Sequence, residues 1–156
     1  MTRKSRKTMK TILTSLGLLL FTCVLSFGNS GRVTADTATH KLTVTLSGVN
    51  KRSGKVYVGL ANDAKSFTGE SILQKSADVP ASGEISVTFD AIKPGRYAVR
   101  VYQDLNDNQK IDMAGMMPTE PFGFSNVSVL MGPPDFEQSA FDLTADQGIK
   151  VTMIEM

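Results

Sequence analysis

The sequence predicts an all-β fold, an antiparallel β-sandwich of about seven short strands. Three observations predict it. Apolar residues recur at every second position in five separate stretches, the pattern of strands with one face inward and one face wet. Glycine and proline interrupt these stretches at short intervals, which suits tight turns. No long amphipathic helical pattern occurs after residue 35, so helices cannot build the core.

The elements follow in order. KLTVTLSGV places Leu42, Val44 and Leu46 on one face and Thr43 and Thr45 on the other. GKVYVGLA repeats this with Val56, Val58 and Leu60, and NKRSG between the two stretches reads as a hairpin turn ending in Gly54. A weaker strand spans Ile72 to Val79. Pro80 and Gly83 then precede Ile85, Val87 and Phe89. Pro94 and Gly95 precede Tyr97, Val99 and Val101, with Arg100 and Tyr102 on the opposite face. Another weaker strand spans Phe124 to Leu130, and a short helical turn runs from Asp135 to Ala140. Ile149, Val151 and Met153 close the chain. A domain of residues 36–156 is long enough to bury such a core without staples.

Residues 1–35 read differently. MTRKSRKTMK carries five basic residues and no acid, and Thr11 to Gly28 carries no charge. Val33 and Ala35 are small or neutral residues ahead of Asp36. A basic segment, an apolar run and such a site describe a secretory signal peptide, cleaved after Ala35. The alternative is a membrane anchor, for which the apolar run is somewhat short of the roughly 20 residues a span needs. The domain is then periplasmic or extracellular, with no membrane attachment after cleavage. Cys23 is the single cysteine and falls inside the apolar run, so the domain has no disulfide. Six of the 17 basic residues and none of the 15 acidic ones lie in residues 1–35, leaving the domain at net −4. Nothing in that balance suggests nucleic-acid binding.

YQDLNDNQKIDM is the most distinctive stretch. Asp104, Asn106, Asn108, Lys110 (through its carbonyl) and Asp112 fall at alternate positions, the spacing at which oxygen ligands curl round calcium. Gln109 stands where the helix–loop–helix calcium motif has glycine, and Gly115 where that motif has glutamate. Further oxygens would come from Asp107, Glu120 or water. The competing reading is a chain of Asx turns, in which Asn and Asp bond their own backbone. If calcium binds, Asp104→Ala is expected to remove the added stability and leave the ion-free stability little changed.

Pro94, Gly95 and Tyr97, then the loop from Asp104 to Asp112, then Pro118, Glu120 and Gly123 to Asn126, then Gly132 to Phe141 together resemble the exported bacterial proteins grouped as domain-of-unknown-function family 2141. The resemblance spans nearly all of the chain after residue 35. It implies a transthyretin-like or immunoglobulin-like sandwich outside the cytoplasm, and it implies no activity.

Other chemistry is sparse. His40 is the only histidine, and no nucleophile elbow or phosphate loop occurs, so the reading is a non-enzyme. A hydrolase built from carboxylates that meet in space is one alternative. Another is a copper(I) handler, because Met113, Met116 and Met117 cluster, Met131 follows, and thioethers suit that ion. Methionine also fills irregular apolar gaps. Gly123, Phe124, Ser125 and Asn126 form a candidate surface motif, whose Ser and Asn can also bond local backbone. The partner is open, with an envelope or glycan surface the expectation.

Overall fold

The structure is a computed structural model that describes residues 38–156. The signal segment expected over residues 1–35, with its cleavage after Ala35, lies outside the described residues.

Two sheets pack face to face. The smaller holds β1 (His40–Ser47), β4 (Ile85–Ile92) and β10 (Gln147–Thr152), in the order β10-β1-β4. The larger runs β3 (Leu73–Asp78), β2 (Lys55–Ala61), β5 (Gly95–Asp104). Beyond β5, two short strands share its far edge end to end. β9 (Ala140–Leu143) pairs with Gly95 to Ala98, and β8 (Phe122–Phe124) pairs with Arg100 to Tyr102. A two-stranded hairpin, β6 (Met113–Ala114) and β7 (Met117–Pro118), stands apart from both sheets. All named pairs are antiparallel except β1 with β10, which is parallel.

The five alternating stretches form strands as expected, and their apolar faces meet between the sheets. Leu42, Val44, Val56, Val58, Leu60, Val99 and Val151 are all fully buried there. Each large aliphatic side chain so buried stabilises the fold by roughly 1.5–3 kcal/mol. Tyr97 closes the crossing from β4 to β5 by donating its hydroxyl to the Lys93 carbonyl at 3.0 Å.

Two expectations are corrected. β1 and β2 are not a hairpin. They lie in different sheets, and NKRSG carries the chain from one sheet to the other. Alternation specifies which face is buried, and both strands bury theirs in the same core from opposite sides. The strand expected over Phe124 to Leu130 is β8, which ends at Phe124, because Asn126 turns the chain at φ +59°. The helical turn expected from Asp135 to Ala140 is present as α2 (Phe136–Ser139), capped by Asp135, and β9 follows it directly. A second short helix, α1 (Ala64–Thr68), is capped by Asp63 and was not expected.

The outward face of β5 positions everything that follows. Ala98, Arg100, Tyr102 and Asp104 point away from the sandwich core, two residues apart. Ala98 is covered by a second apolar cluster with Ala61, Phe67 of α1 and Phe136 of α2. Arg100 and Tyr102 face a cleft. Asp104 lies beneath the acidic loop.

Candidate functional site

The strand register builds the cleft floor. Tyr57 stands opposite Tyr102, which stands opposite Phe122. Gly59 stands opposite Arg100, which stands opposite Phe124. Tyr57 and Tyr102 stack with ring centroids 5.1 Å apart and planes 11° from parallel, a contact that contributes about 0.5–1.5 kcal/mol. The roof comes from the β6–β7 hairpin and from the segment at Leu130 to Pro134. The cleft measures about 760 Å³, within the range of about 300–1,000 Å³ typical of ligand pockets.

Met113, Met116, Met117, Met131 and Met156 all line this cleft. The sixth described methionine, Met153, is buried in the core. Met116 is 88% and Met131 95% exposed. Exposed apolar side chains concentrated in one concavity mark an interaction site.

The acidic loop holds one wall of the cleft in place. Asp104 is fully buried at the end of β5. Its Oδ1 accepts from the backbone N–H of Asn106 and Asn108 at 3.2 Å each, and its Oδ2 accepts from Gln109 at 2.7 Å. Burial pushes the Asp104 carboxyl up, and the N–H groups of Gln109, Asn108, Asp107 and Asn106 together outweigh it and hold it below the ordinary carboxylate value. Glu120, also buried, bridges the two ends of the loop. It accepts from Leu105 N–H at 2.8 Å and from Asp112 N–H at 3.0 Å. Tyr102 donates its hydroxyl to the Gln109 carbonyl, which ties the cleft floor to the loop. Burial first, then the Tyr57 and Asp104 charges, raise the Tyr102 phenol above its ordinary value, so it stays a donor.

The other expected ligands are placed as follows. Asn106 and Asn108 both direct their side-chain amides at Asp112, at 2.7 and 2.8 Å. Asn108 also accepts from Lys110 N–H. Asp104, Asn106, Asn108 and Asp112 are thus joined in one network. Asp107 lies outside it, paired with Lys55 at 3.3 Å. That pair raises the Lys55 ammonium, chiefly through the hydrogen bond to Asp107. Among the described residues, no three His, Cys, Asp or Glu side chains gather as metal ligands. A calcium ion would therefore need the Asn oxygens, and each loop carboxylate already accepts hydrogen bonds within the protein.

The candidate surface motif is largely interior. Gly123 and Ser125 are buried, and only Asn126 is fully exposed. A Cβ on Gly123 would meet the Thr152 carbonyl oxygen at 2.7 Å, because β8 crosses close over β10 there. Ser125 Oγ accepts from Val99 N–H at 2.9 Å and donates to the Ser139 carbonyl at 2.5 Å. Asn126 donates to the Ala140 carbonyl at 2.8 Å. The segment fastens β8, β5 and the α2–β9 junction together, which explains its composition without a ligand.

Sequence reasoning missed the cleft. Its usable signals were the outward-facing Arg100 and Tyr102 of β5 and the cluster of Met113, Met116 and Met117 with Met131, which the sequence offers without showing that they meet.

No curated protein and no solved structure matches the chain. The sequence profile described as "Uncharacterized protein conserved in bacteria (DUF2141)" matches residues 44–151, from the second inward residue of β1 into β10. That span takes in both sheets, the acidic loop, the hairpin and the fastening segment at Gly123 to Asn126, and on it the chain belongs to the DUF2141 family of bacterial proteins.

Proposed function

We propose that the protein is an exported, non-enzymatic binding module that takes an apolar ligand in the methionine-lined cleft. The observation that carries this reading is the gathering of five methionines around a floor of stacked tyrosines. Unbranched, polarisable side chains repack around ligands of different shape. The acidic loop braces the hairpin wall rather than performing chemistry, since its two buried carboxylates, Asp104 and Glu120, are engaged by backbone N–H groups. Export rests on the sequence of residues 1–35 and predicts an intact mass, from the envelope fraction, that begins at Asp36. A soluble full-length chain in the cytoplasm contradicts it.

Copper(I) handling is the second reading, supported by the same five thioethers. One variant separates the two. Changing Met113, Met116 and Met117 together to leucine keeps the wall apolar and removes three sulfurs. Binding of a neutral apolar fluorophore is expected to change less than threefold, since such swaps conserve volume. If copper(I) is the ligand, copper(I) affinity falls more than about a hundredfold and the fluorophore was incidental. Met116→Glu with Met117→Glu is expected to abolish fluorophore binding.

Calcium in the acidic loop is a further part of the reading, supported by the joining of Asp104, Asn106, Asn108 and Asp112. Coordination would turn the Asn106 and Asn108 amide oxygens toward the ion in place of their bonds to Asp112. An affinity of roughly 10⁻⁴ to 10⁻³ M suffices outside a cell. At ten times Kd the ion adds about 1.4 kcal/mol, a few degrees of melting temperature. Melting curves in calcium, magnesium and chelator test it, with magnesium raising the curve less because it demands a smaller octahedral shell. Three superimposable curves leave the loop as Asx turns alone.

A further inference from the structure

We propose that the ligand of the cleft is a single-chain amphiphile with an anionic head, a long-chain carboxylate, whose head pairs with Arg100. This rests on the cleft being the binding site and specifies what fills it.

Charge is the first ground. The sequence after residue 35 is net acidic, yet no aspartate, glutamate, lysine or histidine lines the cleft, and Arg100 carries its one charged side chain. Arg100 is half-buried on the floor, and among the described residues no acidic side chain forms a salt bridge with it. A half-buried cation without an acid beside it favours an anion from solution.

Donor geometry is the second. Nε donates to Ser71 Oγ at 3.1 Å, Nη1 to the Phe67 carbonyl at 2.8 Å and Nη2 to the Gly69 carbonyl. These bonds fix the guanidinium at the end of α1 and use three of its five N–H groups. The remaining two, one on each terminal nitrogen, suit the two oxygens of a carboxylate.

Wall chemistry is the third. Few fixed polar groups stand beside the tyrosine platform for a sugar: Ser71 Oγ serves Arg100 and the Gln109 carbonyl serves Tyr102, leaving the Gln74 and Gln109 amides and the Tyr57 hydroxyl. Flexible methionines instead follow a flexible chain. The volume of about 760 Å³ accommodates a medium or long acyl chain.

The test uses the intact protein loaded with a neutral apolar fluorophore and displaces it with dodecanoate, dodecan-1-ol and dodecylammonium. Dodecanoate is expected to displace at least tenfold more effectively than the alcohol, with the ammonium weakest, as hydrogen bonds to a charged group imply. Arg100→Met is expected to equalise acid and alcohol. Because Arg100 also holds α1, a second variant, Met131→Asp at an exposed position, is expected to weaken dodecanoate and spare the ammonium. Equal displacement by acid and alcohol overturns the anionic head and leaves the apolar cleft standing. A fluorophore that does not bind at all overturns both. A dimer in sedimentation that Met131→Asp dissociates assigns the cleft to a second copy of the chain and overturns the amphiphile.

Discussion

Asp104→Ala lowers the melting temperature by about 10 °C already in chelator, where calcium contributes nothing. The sequence alone leads to the opposite expectation, that ion-free stability is little changed, because it cannot reveal that this carboxylate is fully buried. Removing it takes the acceptor from the backbone N–H groups of Asn106 and Gln109 and one of two acceptors from that of Asn108, and a donor left unpaired costs more than its bond contributed. The loop then detaches from β5, and the cleft floor loses the Tyr102–Gln109 tie, so fluorophore binding in the cleft weakens together with stability. The pH dependence follows from the sign of the shift. The folded-state carboxyl titrates below its unfolded value, so its contribution is complete above the unfolded value of about 3.9 and is lost as pH falls through the folded one. Wild-type melting temperature therefore falls more steeply than that of Asp104→Ala below about pH 4. Parallel acid limbs in the two proteins, or a melting temperature within a degree of wild type, contradict this account.

Much of the sandwich was legible because each strand shows its inward face as a local pattern. Leu42, Val44 and Leu46 declare their burial within five residues. What local pattern cannot show is partnership. The parallel pairing of β1 with β10 joins Leu42 to Gln147, and nothing in either stretch names the other. β9 was hidden for a related reason. It has four residues directly after a helical turn, too few for a period to register. The acidic loop was legible as a polar constellation, and its members do meet. Their roles were not, because Asp104 and Glu120 look like solvent-facing ligands until burial shows them holding backbone. The cleft was least legible of all. Tyr57, Arg100, Met113 and Met131 reach it from four separate segments, and an outward-facing residue carries no mark of which loop will cover it.

Gly54→Ala destabilises the protein by about 3 kcal/mol, while Gly115→Ala, at a similar φ, costs about 1 kcal/mol. Both glycines have positive φ, +74° and +67°, so both substitutions pay the left-handed penalty of an L side chain. Their surroundings differ. A Cβ on Gly115 meets nothing within 4 Å, whereas one on Gly54 would sit 2.0 Å from the Asp104 carbonyl oxygen and 3.1 Å from Leu105 Cα. Those are backbone atoms at the root of the acidic loop, so no rotamer change relieves the overlap. Either the crossing from β1 to β2 lifts or the loop does. If the crossing lifts, the Gly54 carbonyl leaves Val79 N–H, and the buried Gln103 amide loses the Lys51 and Ser53 carbonyls it donates to at 2.7 Å each. If the loop lifts, the Asp104 network opens instead. Urea unfolding distinguishes clash from conformation, with the midpoint of Gly54→Ala expected more than about 1 M below wild type and that of Gly115→Ala well under half as far. Equal losses at the two positions would mean that close approach to Asp104 is not what reserves residue 54 for glycine.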